Sequence, residues 1–85
     1  MKLYKQYVKV AAWNEDGYLI PIAINWDGTV YKIDKITDVR KAKSAVGGCG
    51  LRYICQIGKS QRNLFYEINK WFIESHEPPQ GDTLV

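Results

Sequence analysis

The sequence predicts an all-β fold: a small antiparallel meander of five or six strands, curling into an SH3-like or partly open barrel. Three observations predict it. Asp27-Gly28, a preferred two-residue hairpin turn, sits between runs that alternate apolar and polar residues. A second turn, Asn14-Glu15-Asp16-Gly17, separates two such runs upstream. A further alternating run, Leu51, Tyr53, Cys55 and Ile57, follows a glycine-rich break at Gly47-Gly48-Cys49-Gly50.

Taken in order, Val8, Val10 and Ala12 alternate with Lys9 and Ala11 as a first strand. Tyr18, Ile20, Ile22, Ile24 and Trp26 alternate with Leu19, Pro21, Ala23 and Asn25 as a second. A three-residue loop at Glu15-Asp16-Gly17, with Gly17 in the left-handed region, sets Asn14 opposite Tyr18. That register brings Val8, Val10 and Ala12 against Ile24, Ile22 and Ile20. Pro21 has no N–H to donate, so the first hairpin is expected to splay or bend there. The Asp27-Gly28 turn pairs Trp26 with Thr29, Ile24 with Tyr31 and Ile22 with Ile33. The expected shared apolar face is Val8, Val10, Ile20, Ile22, Ile24, Trp26, Tyr31 and Ile33.

From Lys35 to Gly50 the pattern fades. Ile36 and Val39 can end the third strand, with a short helical turn or a mobile loop over residues 40–45. Gly58-Lys59-Ser60-Gln61 reads as a turn. Leu64 to Phe72 admits two readings. Aromatic content favours strands; Leu64, Phe65, Ile68, Trp71 and Phe72 also fall on one helical face, which gives an α+β alternative with a helix at about 61–75. Residues 1–75 are expected to form the domain, and 76–85, with Pro78-Pro79 and Gly81-Asp82, a disordered tail.

Pro21, Trp26, Gly28, Tyr31 and Ile33, a basic loop, then Gly50, Arg52, Tyr53, Leu64-Phe65-Tyr66-Glu67 and Trp71-Phe72, form a longer pattern. It resembles a group of small uncharacterised bacterial proteins that share a Pro…Trp-x-Gly-x-x-Tyr hairpin and end on a Trp-aromatic strand. The resemblance covers residues 7–74 and rests on small and aromatic residues. It implies a small barrel-like all-β domain and carries over no activity and no catalytic residues. The chain departs from the pattern at Gly47-Gly48-Cys49-Gly50, where those proteins tend to carry tryptophans.

The chemistry points away from catalysis. Gly58-Lys59-Ser60 matches the end of a nucleotide phosphate loop, but the required upstream glycine position holds Tyr53. Cys49 lacks a histidine base nearby, the single histidine being His76. Asp16 and Asp27 sit beside glycines as turn residues. Cys49 and Cys55 have no metal-ligand spacing and read as free thiols, so neither metal nor cofactor is expected. The N-terminus has charge but no apolar leader segment behind it, and the longest apolar stretch, Tyr18 to Ile24, is too short for a bilayer. The expected location is cytoplasmic, without membrane contact.

Two surfaces remain as candidates. Residues 35–52 carry Lys35, Arg40, Lys41, Lys43 and Arg52 against Asp38 alone, which exceeds the net charge of +3 for the whole chain. That segment suits phosphates, hence nucleic acid. Tyr7 and Trp13 lie on the outer side of the first strand with Lys9, an aromatic face suited to a protein partner or self-association. The primary expectation is a non-catalytic interaction module using that face, with nucleic-acid binding as the alternative.

Overall fold

A computed structural model of the chain describes residues 3–76, and among these residues there are seven antiparallel strands and no helix. They are β1 (Tyr4–Glu15), β2 (Tyr18–Trp26), β3 (Thr29–Lys32), β4 (Lys35–Lys43), β5 (Cys49–Ile57), β6 (Ser60–Glu67) and β7 (Lys70–Ser75). The expectation for the tail concerns residues outside the described ones from 77 onward.

Tight turns set the meander. Asp16-Gly17, Asp27-Gly28 and Ile68-Asn69 each hold both central residues at positive φ, the signature of the hairpin turn whose twist matches its strands. Asp, Asn and Gly adopt this conformation at little cost; Ile68 does not, since a branched Cβ is crowded there. Gly58 takes positive φ at the first position of the β5–β6 turn, as a II′ turn requires.

The sheet order is β3-β2-β1-β7-β6-β5-β4. Its two edge strands are consecutive in the chain. The Ile33 N–H donates to the Ile22 carbonyl at 2.8 Å, and the next N–H, of Asp34, donates to the Gln56 carbonyl at 2.8 Å. The backbone thus passes from one end of the sheet to the other within a single step, which requires the sheet to curl into a half-barrel. Inside the curl, Ile24, Ile33, Tyr53, Cys55, Leu64 and Ile73 are buried, with Val8, Val10, Leu51 and Trp71 packed half-buried around them. Each large apolar side chain buried there contributes roughly 1.5–3 kcal/mol.

A second apolar layer lies on the other side of β6 and β7. Phe65 and Phe72 are cross-strand partners, buried, and stacked at 5.0 Å with rings 6° from parallel. Glu67 and Glu74 alternate with them on that side and fasten the β4–β5 loop to it. Ser44 Oγ and the Ala45 N–H both donate to Glu74 Oε2, at 2.9 and 2.8 Å, and the Cys49 N–H donates to Glu67 Oε2 at 2.8 Å. Lys5 spans the layer, its ammonium 4.5 Å from the Phe72 ring centre and 4.0 Å from Glu67 Oε1.

Several sequence expectations are met and others corrected. The Asp27-Gly28 register holds, with Trp26 opposite Thr29 and Ile24 opposite Tyr31. The first hairpin differs. Its loop has two residues, Glu15 pairs with Tyr18 and Trp13 with Ile20, and Ile22 is left over as a bulge between Pro21 and Ala23. The bend expected at Pro21 is therefore real, and it realigns Val10 with Ile24 rather than with Ile22. Ile22 is consequently exposed instead of joining the apolar face, whereas Tyr31 keeps its place on that face beside Ile24 and Trp26 but remains partly open to solvent. Residues 35–43 form a full strand rather than a loop or helical turn, with a register shift between Ile36 and Asp38, bringing the count to seven. Residues 61–75 are not helical: Ser60 opens β6, and the hairpin to β7 is complete. Leu64, Phe65, Phe72 and Ile73 are all buried because these strands pack on both faces.

Candidate functional site

β7 pairs with β1 only over Tyr4–Val8. Beyond that point β1 is held by β2 alone, so residues 9–15 and their β2 partners form an arm extending past the body of the sheet. Tyr7, Lys9, Ala11, Trp13 and Glu15 alternate onto the outer side of this ribbon, joined across the strands by Ile20 and Tyr18. Tyr7 is 54%, Trp13 59% and Tyr18 74% exposed. Tyr7 rests edge-on against Phe72 at 6.1 Å, with the ammonium groups of Lys5 and Lys70 each 5.7 Å from its ring centre. Its root is fixed by the second apolar layer while its outer half is open. On the inner side of the arm, Pro21 is buried and the Tyr53 hydroxyl donates to the Leu19 carbonyl at 2.7 Å, tying the arm's base to the core.

The basic residues do not gather on one face. Arg40 stands directly opposite Arg52 on β5, and Lys35 opposite Gln56 lies on the same side of the ribbon; Lys41 and Lys43, opposite Leu51 and Cys49, point the other way. Arg40 Nε donates to Asp38 Oδ2 at 2.7 Å, and this guanidinium holds the Asp38 carboxyl below its usual range. The Arg52 Nε is buried and has no acceptor among the described residues.

A third feature escaped the sequence reading. Where the curl stays open, Trp26, Tyr31, Ile57, Ser60 and Arg62 line a cleft of about 190 Å³ floored by Ile24 and Ile73. The Arg62 guanidinium lies 5.3 Å from the centre of the Trp26 ring, occupying the aromatic surface. Tyr18 was also missed, because the three-residue loop register placed it on the inner face with Ile24; the signal available was the neighbouring Asp16-Gly17 pair, itself a preferred two-residue turn.

The two thiols differ sharply. Cys49 is exposed; Cys55 is buried, and burial pushes its thiol up to about 11. Ellman's reagent is expected to titrate Cys49 at pH 8 and to reach Cys55 only on unfolding. Two fast thiols in the native protein would refute this burial. Burial also pushes the Tyr53 hydroxyl up. For Cys55 the folded state holds its proton more tightly than the unfolded state, whose thiol ionises near 9.0. Stability from this group is therefore intact below pH 9 and declines as pH rises from 9 to 11.

Among the described residues no group of three His, Cys, Asp or Glu side chains is placed to hold a metal, and no helix is long and apolar enough to cross a membrane. No protein-family model, curated protein or solved structure matches the chain.

Proposed function

We propose that the protein is a non-catalytic interaction module that makes protein–protein contact through the outer aromatic face of its first hairpin. The observation that supports this reading best is the exposure of Trp13 and Tyr18 together on an arm held by β2 alone. Large aromatic rings on a rigid ribbon give much contact area at little cost in side-chain entropy, and such residues dominate interface energetics. Sedimentation velocity over a concentration series tests it. The wild-type chain is expected to associate, and Trp13→Ser/Tyr18→Ser to lose that association with its circular dichroism unchanged. Association insensitive to both substitutions would rule this face out.

A second reading is nucleic-acid contact through Lys35, Arg40 and Arg52. Lys35, Arg40 and Arg52 share one side of the ribbon, and although Asp38 already pairs with Arg40, the Arg52 Nε has no acceptor among the described residues; these features favour it. Lys41 and Lys43 would then reach phosphates only from the other side of the ribbon. Binding to single-stranded oligonucleotide that weakens steeply with salt, and that Arg52→Ala abolishes, is the expected result; a flat salt response would eliminate it.

A further inference from the structure

Among the described residues, open strand edge includes β3, β4, residues 18–21 of β2 and the part of β1 beyond Val8. The β2 stretch ends on Pro21, which has no N–H to donate. β3 has four residues, too few to template a partner well. β4 is longer but carries Lys35, Arg40, Lys41 and Lys43, the type of charge that blunts edges against pairing. The β1 stretch, Lys9-Val10-Ala11-Ala12-Trp13-Asn14-Glu15, has no proline and a single lysine, and every residue in it except half-buried Val10 is exposed.

Backbone direction along this edge follows from the turn. The pair flanking a two-residue hairpin loop exchanges hydrogen bonds, so Glu15 and, by alternation, Trp13 turn their N–H and C=O toward β2. Asn14, Ala12 and Val10 turn theirs to the open side. The same alternation makes Val8 face Trp71 of β7, where the existing pairing stops.

A strand with this sequence is complementary to itself. When two copies run antiparallel about a two-fold axis at Ala12, the outward groups of Val10, Ala12 and Asn14 meet those of Asn14, Ala12 and Val10 of the partner subunit. Lys9 then stands opposite Glu15 of the partner subunit, and by symmetry the pair occurs twice. Trp13 lies across from Ala11 of the partner subunit, large against small, on the aromatic face. Neighbouring registers fail. Centring on Ala11 sets Asn14, whose outward groups need a partner, against Val8, whose groups are spent on Trp71; centring on Trp13 sets Lys9 against Gly17 in the turn; centring on Ala12 brings only the turn residue Asp16 of the partner subunit against Val8, so pairing ends at Lys9 and Glu15.

We infer that the chain forms a two-fold dimer by antiparallel pairing of residues 9–15 of β1 with the same residues of a second copy. This rests on the interaction-module reading and names its partner as another copy of this chain.

Sedimentation equilibrium of the full chain, up to ~1 mM, tests it. The wild type is expected to dimerise. Ala12→Pro removes an N–H that only the partner uses, so this variant should be monomeric with an unchanged melting temperature. Lys9→Glu and Glu15→Lys should each weaken the dimer about tenfold, and the double swap should restore it to within about twofold. A wild type monomeric at ~1 mM overturns the inference, as does a charge swap that fails to restore affinity. A dimer that tolerates both Ala12→Pro and the single charge changes yet dissolves in Trp13→Ser overturns strand pairing while sparing the aromatic-face reading. If Ala12→Pro fails to fold, the charge-swap cycle decides alone.

Discussion

Gly50→Ala is expected to cost about 3 kcal/mol or more of stability, lowering Tm by roughly 15 °C or more in a domain of this size. Gly50 lies in β5 against the backbone of Tyr66 and Glu67 on the neighbouring strand β6. A Cβ there would fall inside the van der Waals shell of the Tyr66 carbonyl oxygen and stand 3.0 Å from the carbonyl carbon. Both are backbone atoms, so no rotamer change relieves the clash. The strands would have to separate, and the Cys49 N–H bond to Glu67 that fastens the β4–β5 loop lies one residue away. Gly17→Ala provides the contrast. Gly17 has open space around it but φ of +82°, so its replacement is expected to cost only about 1 kcal/mol, through the backbone. Thermal unfolding followed by circular dichroism separates the two. A Gly50→Ala protein that melts within a few degrees of wild type would mean that the strands do not approach as described.

Phe72→Ala is expected to cost about 3–5 kcal/mol. Against a total of roughly 4–13 kcal/mol for a chain of this length, that is about a quarter of the stability or more. Phe72 is fully buried, stacks on Phe65, and carries Tyr7 on its edge and the Lys5 ammonium over its face. Phe65→Ala should cost a similar amount. The double variant should cost less than the sum, because the stacked contact is lost only once. Urea titrations of the three variants give the coupling directly. Additive costs would show that the rings do not act as a pair. Loss of Phe72 would also loosen the seat of Tyr7, so Phe72→Leu, which keeps apolar volume, is the better probe of how that seat affects association.

The features legible in the sequence were those governed by local rules. Asp27-Gly28 dictated its own register because a two-residue turn and two alternating runs agreed. The first hairpin was harder. Its apolar residues align equally well with a three-residue loop and regular strands or with a two-residue loop and a bulge at Ile22. Period-two reasoning cannot separate these, and the choice decides whether Tyr18 faces the core or the solvent. β4 was illegible for a different reason. As an edge strand it has one neighbour, and it carries lysines and arginines on both sides, so hydrophobic alternation is erased where the edge needs protection. Leu64-Phe65 and Phe72-Ile73 admit a helical alternative because adjacent apolar residues suit a helix face; they suit equally a strand buried on both sides, and the cover on the second side, Lys5 and Tyr7 over Phe72 and a β4–β5 loop fastened to Glu67 and Glu74, comes from residues distant in sequence. At the candidate site, Tyr7 and Trp13 were placed on the outer face by alternation alone, and the structure exposes both. The separation of Lys41 and Lys43 from Arg40 and Arg52 could follow only once β4 was known to be a strand.

The pairing of β1 with β7 has a consequence for biosynthesis. Among the described strands, β1 is completed on its second side only by β7, across Tyr4–Val8 and Trp71–Ser75. The N-terminal hairpins can close as they are translated, since their contacts are local. Yet the Tyr4–Val8 edge stays bare until residues 71–75 have been made, and joining the two halves must then close a loop of nearly the whole domain. Nascent chains of this protein therefore carry an unpaired strand edge throughout the interval in which residues 9–70 are made. It is in that interval, rather than after folding, that they are most open to mispairing with one another or to capture by a chaperone.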